Sequence, residues 1–474
     1  MGQIPGICLK NHKEIRSLKL GEKYMNILFV SLGCDKNLVD TEVMLGLLAE
    51  KGHQMVDFED MADVIVVNTC CFIHDAKEES IQTILEMAEY RKRGMQGEGR
   101  CKALIVTGCL AQRYKQEILD EIEEVDAVLG TTSYDKIVAA IEEALIGHKS
   151  LEMTDIDVLP EVSSKRIVTT GGHFAYLKIA EGCDKHCTYC IIPKIRGNFR
   201  SVPMERILKE AQDLVDQGVK ELILVAQETT LYGKDLYGEK TLPTLLKELC
   251  KISGLRWIRI LYCYPEEITD ELIQVMKEED KICKYLDLPI QHASDRILKR
   301  MGRRTSKRQL INIVDKLRSE IPEIALRTTL ITGFPGETEE EHEELMAFVD
   351  EMEFDRLGVF TYSPEEDTPA AAMADQIDEN IKEERQADLM ELQQEIAFEL
   401  AEDMIGKEII VMIEGKVADE NAFVGRTYKD APNVDGLIFV EFNENAEYVE
   451  LMSGDFVKVR VTGALEYDLI GEII

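Results

Sequence analysis

The sequence predicts a three-part α/β protein: an N-terminal parallel α/β sheet, a central partial barrel of six β/α units, and a small antiparallel β-barrel at the C-terminus. Three observations carry that reading. From Met25 to Thr361, apolar runs alternate with amphipathic helical stretches, which is the rhythm of parallel sheets covered by helices. That rhythm lapses over 149–171, SLEMTDIDVLPEVSSKRIVTTGG. Over 405–474 it gives way to short β-branched runs, GKEIIVMIEG, GLIFVEF and GDFVKVRVTGA, split by Gly, Asn and Asp. Runs of that texture build small β-barrels.

Taken in order, residues 1–24 precede a sharp change at Met25, where MNILFVSLGC opens the first apolar run. They read as a loose extension, or as a translation start placed too far upstream. The first domain, 25–148, has strands expected at Asn26–Ser31, Asp63–Asn68, Ala103–Thr107 and Ala127–Leu129, with helices at Val39–Lys51 and Lys77–Lys92. Residues 149–171 read as a linker. The second domain, 172–375, offers apolar runs at Phe174–Ile179, Glu221–Ala226, Trp257–Tyr262, Tyr285–Leu288, Ala325–Ile331 and Leu357–Thr361. Six units suit a partial barrel rather than a closed eight-fold one. A long acidic helix follows within 376–404, roughly Asn380–Asp403, with few breakers. It reads as a connector to the terminal β-barrel at 405–474.

Composition bounds the function. Of 474 residues, 45% are hydrophobic and 31% charged, ordinary for a globular protein. The 31 Gly and 12 Pro are too few for long disordered tracts. No run approaches the ~18 apolar residues of a membrane span, and the N-terminus lacks the apolar core of a signal peptide. A soluble cytoplasmic protein without membrane association is expected. Lys and Arg number 55 against 90 Asp and Glu, a net charge of −35. Such a field repels phosphate and draws basic partners, so nucleic acid is not expected as a direct substrate, although local basic patches stay open. Twelve cysteines fall far short of the ~8–10% of a disulfide scaffold. In a cytoplasmic chain, clustered thiols point to metal or catalysis.

The sharpest cluster is Cys183-Asp-Lys-His-Cys187-Thr-Tyr-Cys190, directly after the first barrel strand. Three thiolates on one loop can hold three irons of a 4Fe–4S cluster. The fourth iron is then open, as substrate or cofactor chemistry requires. The loop falls at a strand's C-terminal end, where barrel enzymes place their catalytic groups. The competing reading is a structural zinc site with His186 as fourth ligand, although zinc sites usually pair C-x-x-C units.

A second set is spread along the first domain. Cys34 ends ILFVSLGC, Cys70 ends VIVVNTC and Cys109 ends ALIVTGC. Each falls at the C-terminal end of an expected parallel strand, where open α/β sheets bind ligands. One such thiol would be an ordinary core cysteine; three at the same structural position suggest a second cluster. Cys71 leaves the middle ligand open, because neighbours on an extended segment face opposite ways and only one can meet the crevice. Cys101 precedes its strand. Cys8, Cys250, Cys263 and Cys283 have no partner spacing, Cys263 alone lying at a strand end.

The context EGCDKHCTYCIIPKIRG resembles the radical S-adenosylmethionine (SAM) superfamily. Together with SLGCDKNLVD, NTC-FI, TGCLAQRY, TTLITGFPGET and a TRAM-like terminal domain, it resembles the methylthiotransferases of that superfamily from Met25 to the C-terminus. The resemblance implies two 4Fe–4S clusters, at Cys34, Cys70 and Cys109 and at Cys183, Cys187 and Cys190. The first carries the sulfur to be transferred. At the second, the unique iron chelates SAM and the cluster cleaves it to a 5′-deoxyadenosyl radical. One SAM donates a methyl group and another supplies the radical, and Tyr189 lies near the adenine. An electron donor such as flavodoxin or ferredoxin is implied; nothing in the sequence identifies the sulfur donor.

The family divides between tRNA-adenosine enzymes and RimO-type enzymes that modify an aspartate of small-subunit ribosomal protein twelve. Gln291-His292-Ala293 stands where the tRNA enzymes typically read Gln-Ser-Gly. RTYKDAPNVDG (426–436) and ALEYDLIGEI (464–473) resemble the RimO type. Charge argues separately: residues 405–474 hold six Lys/Arg against fourteen Asp/Glu. An RNA-binding barrel needs a basic groove, whereas this one suits a basic ribosomal protein, unless it only reflects an acidic host proteome. The chemistry agrees with the resemblance. An aspartate β C–H is far too weakly acidic for a side-chain base, and hydrogen-atom abstraction by a cofactor radical avoids the carbanion.

Weaker signals remain. Gly333 and Gly336 of GFPGET could approach SAM or only shape a turn. Gln227, ending a barrel strand in VAQETT, is a candidate SAM contact, and Glu228, where Asp is usual in the family, is expected to matter little. His292 is a structural hydrogen-bonder or a substrate contact. No side chain stands out as a general acid or base. Two other readings compete: a tRNA methylthiotransferase, separable only by substrate, and an iron–sulfur electron carrier or regulator, which would make no 5′-deoxyadenosine.

Overall fold

A computed structural model describes residues 24–161, 166–418, 420–442 and 451–474. Cys8 and, save Tyr24, the expected extension over 1–24 lie outside the described residues. Contacts divide the chain into two compact units. One runs up to Thr169 and takes in Ile191–Asn198; the other comprises Thr170–Cys190 and Phe199–Ile474.

The first unit is a six-stranded parallel sheet of β1 (Asn26–Ser31), β2 (Gln54–Met55), β3 (Val64–Thr69), β4 (Ala103–Gly108), β5 (Ala127–Leu129) and β6 (Ser150–Glu152), in the order β2-β1-β3-β4-β5-β6. Helices cover both faces, so β3 and β4 are buried throughout and apolar over Val64–Val67 and Ala103–Val106. Ile65, Val67, Leu104 and Val106 face Ile84 and Met87 of the helix His74–Met95. Their neighbours Val64, Val66, Ala103 and Ile105 face Met44 and Leu48 of the helix Asp35–Glu50. This is the period-2 alternation of a strand.

Two expected boundaries shift. The stretch expected to be a linker begins with β6, which pairs with β5; three residues are too few to show a pattern. Its far end is tied down where the amide of Thr169 donates to Glu42 Oε1 at 2.6 Å and Arg166 Nε lies 3.0 Å from Glu42 Oε2. Residues 191–198, read as part of the barrel, belong to the first unit. Ile191 and Ile195 enter its apolar core, and the buried guanidinium of Arg196 lies 2.9 Å from Asp40.

The second unit opens with β7 (Phe174–Lys178), and β8 (Ala180–Glu181) and β9 (Arg200–Ser201) form a two-stranded ribbon. The parallel sheet continues through β10 (Glu221–Val225), β11 (Trp257–Ile260), β12 (Ile282–Gln291), β13 (Ala325–Thr332) and β14 (Arg356–Thr361). Its order, β14-β13-β12-β11-β10-β7, is the open six-unit barrel the sequence predicts. The acidic helix Glu379–Glu402 is more than a connector. It packs along β14, burying Leu389, Ile396 and Ala397. Its buried Arg385 reaches Glu337 at 3.1 Å, and Gln393 donates to the Phe354 carbonyl at 2.8 Å.

The chain ends in a closed barrel of β15 (Glu408–Lys416), β16 (Ala422–Arg426), β17 (Ile438–Glu441), β18 (Phe456–Ala464) and β19 (Leu469–Ile473), ordered β15-β16-β17-β19-β18. Its pairings are antiparallel except β17 with β19. Val411, Ile413, Val440, Val459 and Val461 fill it. The 427–436 segment lies against the first residues of the six-unit sheet: Asp430 pairs with Arg356 at 2.5 Å, Lys429 with Asp355 at 2.9 Å, and Tyr285 donates to Asp435 at 2.7 Å. Among the described residues no helix is long and apolar enough to cross a membrane.

Candidate metal centres

In the first unit, β1, β3 and β4 are adjacent and in register, Ser31 opposite Asn68 and Thr69 opposite Gly108. Their C-terminal ends therefore lie side by side. Cys34 caps the helix Asp35–Glu50, Cys70 follows β3, and Cys109 is the first residue of the helix Cys109–Tyr114. Two glycines make this possible. Gly33 has φ +90° and passes so close to Cys70 that a Cβ on it would lie 2.7 Å from the Cys70 Cβ and 3.1 Å from its Sγ. Gly108, at φ +94°, leaves no room for a Cβ beside Asn68 and the Thr69 carbonyl; both turns need the left-handed backbone that glycine adopts without strain.

Asn37 ties the three loops together. Its Nδ2 donates to the Leu32 and Thr69 carbonyls at 3.0 and 2.9 Å, and its Oδ1 accepts from Cys109 Sγ at 3.7 Å and from Arg196. Cys34 is exposed, while Cys70 and Cys109 are buried. Burial pushes the Cys70 thiol well above its usual range, and Cys109 and Cys34 push it the same way. Cys71 is wholly withdrawn into the apolar cluster with Ile65, Val67 and Ile84.

In the second unit, Cys183 and Cys187 are buried and Cys190 half-buried. His186 is exposed, with φ +50°. The loop is fastened by the Gly182 amide to Gln227 Oε1 (2.8 Å), the Phe199 amide to Asp184 (2.9 Å) and the Thr188 amide to the Met301 carbonyl (2.9 Å). Lys185, between the first two thiols, is buried. Its ammonium lies 2.5 Å from Glu267, 3.4 Å from Glu266 and 3.4 Å from Glu228, over the ring of Tyr264. Tyr264 Oη is 3.9 Å from Cys187 Sγ. Burial raises the Cys183 thiol to about 12, and raises Glu228 to about 7 against the pull of Lys185. Among the described residues, no three Cys, His, Asp or Glu side chains are drawn together tightly enough to grip a metal ion. Each thiol set is a group of neighbours, not a formed coordination sphere.

Comparison with known proteins adds to this geometry. Residues 177–349 match the radical SAM superfamily, residues 26–130 the uncharacterized protein family UPF0004, and residues 405–474 the TRAM domain. The ribosomal protein uS12 methylthiotransferase RimO of Lachnoclostridium phytofermentans is 65% identical over 447 residues, 94% of this chain and 99% of that protein. The RimO protein of Clostridioides difficile is 50% identical over 95% of this chain and 99% of its own. This chain belongs to the RimO family. Among solved structures, the radical SAM methyltransferase TsrM of Kitasatospora setae is similar with a TM-score of 0.52 and 12% identity, covering 81% of this chain and 79% of that one. At that identity the likeness is one of fold alone.

The smaller signals of this RimO-family chain fall as follows. Tyr189 is half-buried, edge-on to Phe334 of GFPGET with ring centroids 6.5 Å apart. Gly333 gives room to the Lys382 side chain and Gly336 to the Arg300 guanidinium. Gln227 spends both ends of its amide on the loop, accepting from Gly182 and donating to Glu181 at 2.7 Å. His292 is wholly buried, its Nδ1 accepting from the Ser294 amide at 2.9 Å. Cys263 lies 3.5 Å from the Thr229 hydroxyl. Sequence reasoning missed Lys185, Tyr264 and Arg303; only the position of Lys185 inside the three-Cys loop could have flagged it.

Proposed function

We propose that this RimO-family enzyme adds a methylthio group to the β-carbon of an aspartate in ribosomal protein uS12, with two 4Fe–4S clusters and SAM. The observation that carries the reading is the end-to-end identity with proteins named for that activity, 65% over 94% of the chain. Cys183, Cys187 and Cys190 would hold one cluster, and Cys34, Cys70 and Cys109 the other. The residues fit such groups. Each set offers three soft thiol donors, leaving one iron open. Beside the Cys183 loop, two nitrogens of Arg303 are buried without a hydrogen-bond partner. When bound, these groups would supply a 5′-deoxyadenosyl radical at the Cys183 loop and sulfur at the first-unit thiols.

The chain's own residues shape the site. Lys185, held by Glu228, Glu266 and Glu267, fixes the loop and sets a positive charge beside its thiols. Gln227 ties the loop to Glu181. Tyr189 would lie along the adenine, and Gly333 and Gly336 near SAM. The acidic terminal barrel, six Lys/Arg against fourteen Asp/Glu over 405–474, favours a basic ribosomal protein over RNA. A donor of the flavodoxin or ferredoxin kind would deliver electrons.

The test is direct. The anaerobically reconstituted chain, with uS12, SAM, sulfide and reductant, should add one methylthio group to uS12 by mass spectrometry. If tRNA gains that mass and uS12 does not, the substrate assignment is overturned.

A further inference from the structure

His292 is the first residue beyond β12, at the C-terminal end of the six-unit sheet, and its side chain is shut off from water. Its Nδ1 accepts from the Ser294 amide at 2.9 Å, which leaves the ring proton on Nε2. Among the described residues, that Nε2 is buried without a hydrogen-bond partner. It lies 3.8 Å from Oε2 of Glu337, a carboxylate equally withdrawn from water.

Glu337 ties the GFPGET turn together. Its Oε2 accepts from the Phe334 amide at 3.0 Å, and its Oε1 from Arg385 at 3.1 Å. The loop after β12 is fastened to the same segment at two further points. Ser294 donates to Glu341 at 2.8 Å, and Arg296 donates to the Gly336 carbonyl at 2.5 Å. Side chains at 292, 294 and 296 thus all meet residues 336–341. Two of those contacts are hydrogen bonds, and the third is too long to be one.

A buried N–H left unmade keeps its full desolvation penalty. Here the acceptor that would relieve it is already in place. A shift of the turn by about 1 Å toward His292 would bring the pair to hydrogen-bond distance, and a bond to a carboxylate is among the stronger kinds.

Building on the proposed function, in which Gly333 and Gly336 lie near SAM, we propose that His292 is a positioning residue for SAM: its Nε2–H bonds Glu337 when SAM seats against the GFPGET turn, and so holds the turn on its ligand. In this role His292 touches neither SAM nor uS12. Its position is where this chain departs from the Gln-Ser-Gly pattern, and a serine side chain is too short to span to Glu337. The histidine then governs SAM affinity rather than the choice of substrate.

The test uses the full chain, reconstituted anaerobically, as parent, His292→Asn and His292→Gln. The glutamine amide reaches about as far as Nε2 and restores the donor, whereas the shorter asparagine does not. Iron content, melting temperature, SAM affinity, KM for uS12, and hydrogen exchange over residues 333–338 with and without SAM are measured. His292→Asn should keep its iron and bind SAM about tenfold more weakly, a change of about 1.4 kcal/mol. It should also lose the slowing of exchange that SAM brings to the turn in the parent. His292→Gln should stay within about twofold of the parent in affinity, and KM for uS12 should be the same throughout. The proposal is overturned if exchange over the turn is unchanged in His292→Asn. It is also overturned if both variants are equally impaired, the sign of a packing role, or if KM for uS12 moves while SAM affinity stays, the sign of a substrate contact. A parent chain that binds SAM and leaves uS12 unmodified sinks the proposed function alone, and affinity and exchange still judge His292. A parent that binds no SAM sinks both.

Discussion

Arg426 Nη2 lies 2.7 Å from Glu221 Oε2, and neither side chain reaches water. Glu221 opens β10, and Arg426 ends β16 of the terminal barrel. Arg259 joins from β11 at 2.8 Å from Glu221, and Glu414 takes the other edge of Arg426 at 2.6 Å. His173 closes the network 2.6 Å from Glu414. The RTYKDAPNVDG segment is thus seated on the sheet of the six-unit barrel by fully paired charges.

Breaking that pairing should cost far more than a surface ion pair. Glu221→Gln leaves the buried Arg259 without a carboxylate and Arg426 with Glu414 alone, and a stranded buried charge costs about 3–5 kcal/mol. Thermal or denaturant unfolding should show a loss of that size. Exposed pairs such as Lys277–Glu320 at 3.2 Å should change stability by less than about 1 kcal/mol. Equal effects at the two sites would refute the network's role.

Lys185→Met should loosen the Cys183 loop. The variant leaves Glu228, Glu266 and Glu267 facing each other without their common cation. Groups that orient metal ligands typically contribute about 10–100-fold in metal affinity. If the two thiol sets hold the proposed clusters, iron at the Cys183 loop should be lost about tenfold more readily to a chelator, with iron at the first-unit thiols unaffected. Equal retention by parent and variant would count against the clamp.

The three-Cys loop and the thiols at strand ends were legible because the chemistry constrains residue type and spacing, and because parallel strands announce themselves as apolar runs. Cys70 and Cys71 could not be ranked from sequence, since adjacent residues differ only in the face they present. Arg303 was invisible for another reason. A buried cation is recognised by what surrounds it, and Tyr264 and Pro289 are distant in the chain. The helix Glu379–Glu402 misled because charges that read as solvent-facing, Lys382 and Arg385, are buried. The Lys382 ammonium donates to the Tyr362 carbonyl at 2.9 Å, and Arg385 is bonded to Glu337.

Asp63 gives a pH signature. Burial alone would raise its carboxyl, but hydrogen bonds from Arg100, the Asn26 amide and Lys102 outweigh it and hold it at about 2. A depressed carboxylate stabilises the fold above its unfolded value of about 3.9 and loses that contribution as pH falls toward the folded value. Asp63→Asn should cost about 1 kcal/mol at neutral pH, modest because Arg100 and Lys102 are half-exposed. Melting curves of parent and variant should differ at pH 7 and converge near pH 2. A gap that stays constant with pH would refute the assignment.

The choice between Cys70 and Cys71 can be settled by iron. Gly33 passes against Cys70, and the fields of Cys109 and Cys34 both reach the Cys70 thiol. Cys71 is fully buried, in the apolar cluster that also holds Ile65, Val67, Ile84 and Cys109. If the first-unit cluster hangs on Cys34, Cys70 and Cys109, Cys70→Ala should retain half the iron of the parent after anaerobic reconstitution and desalting. Cys71→Ala should retain all of it and pay instead in stability, by about 1–2 kcal/mol for the sulfur-sized cavity. The reverse pattern, iron lost with Cys71 and kept without Cys70, would move the ligand one residue along the chain and require the loop after β3 to turn over when iron binds.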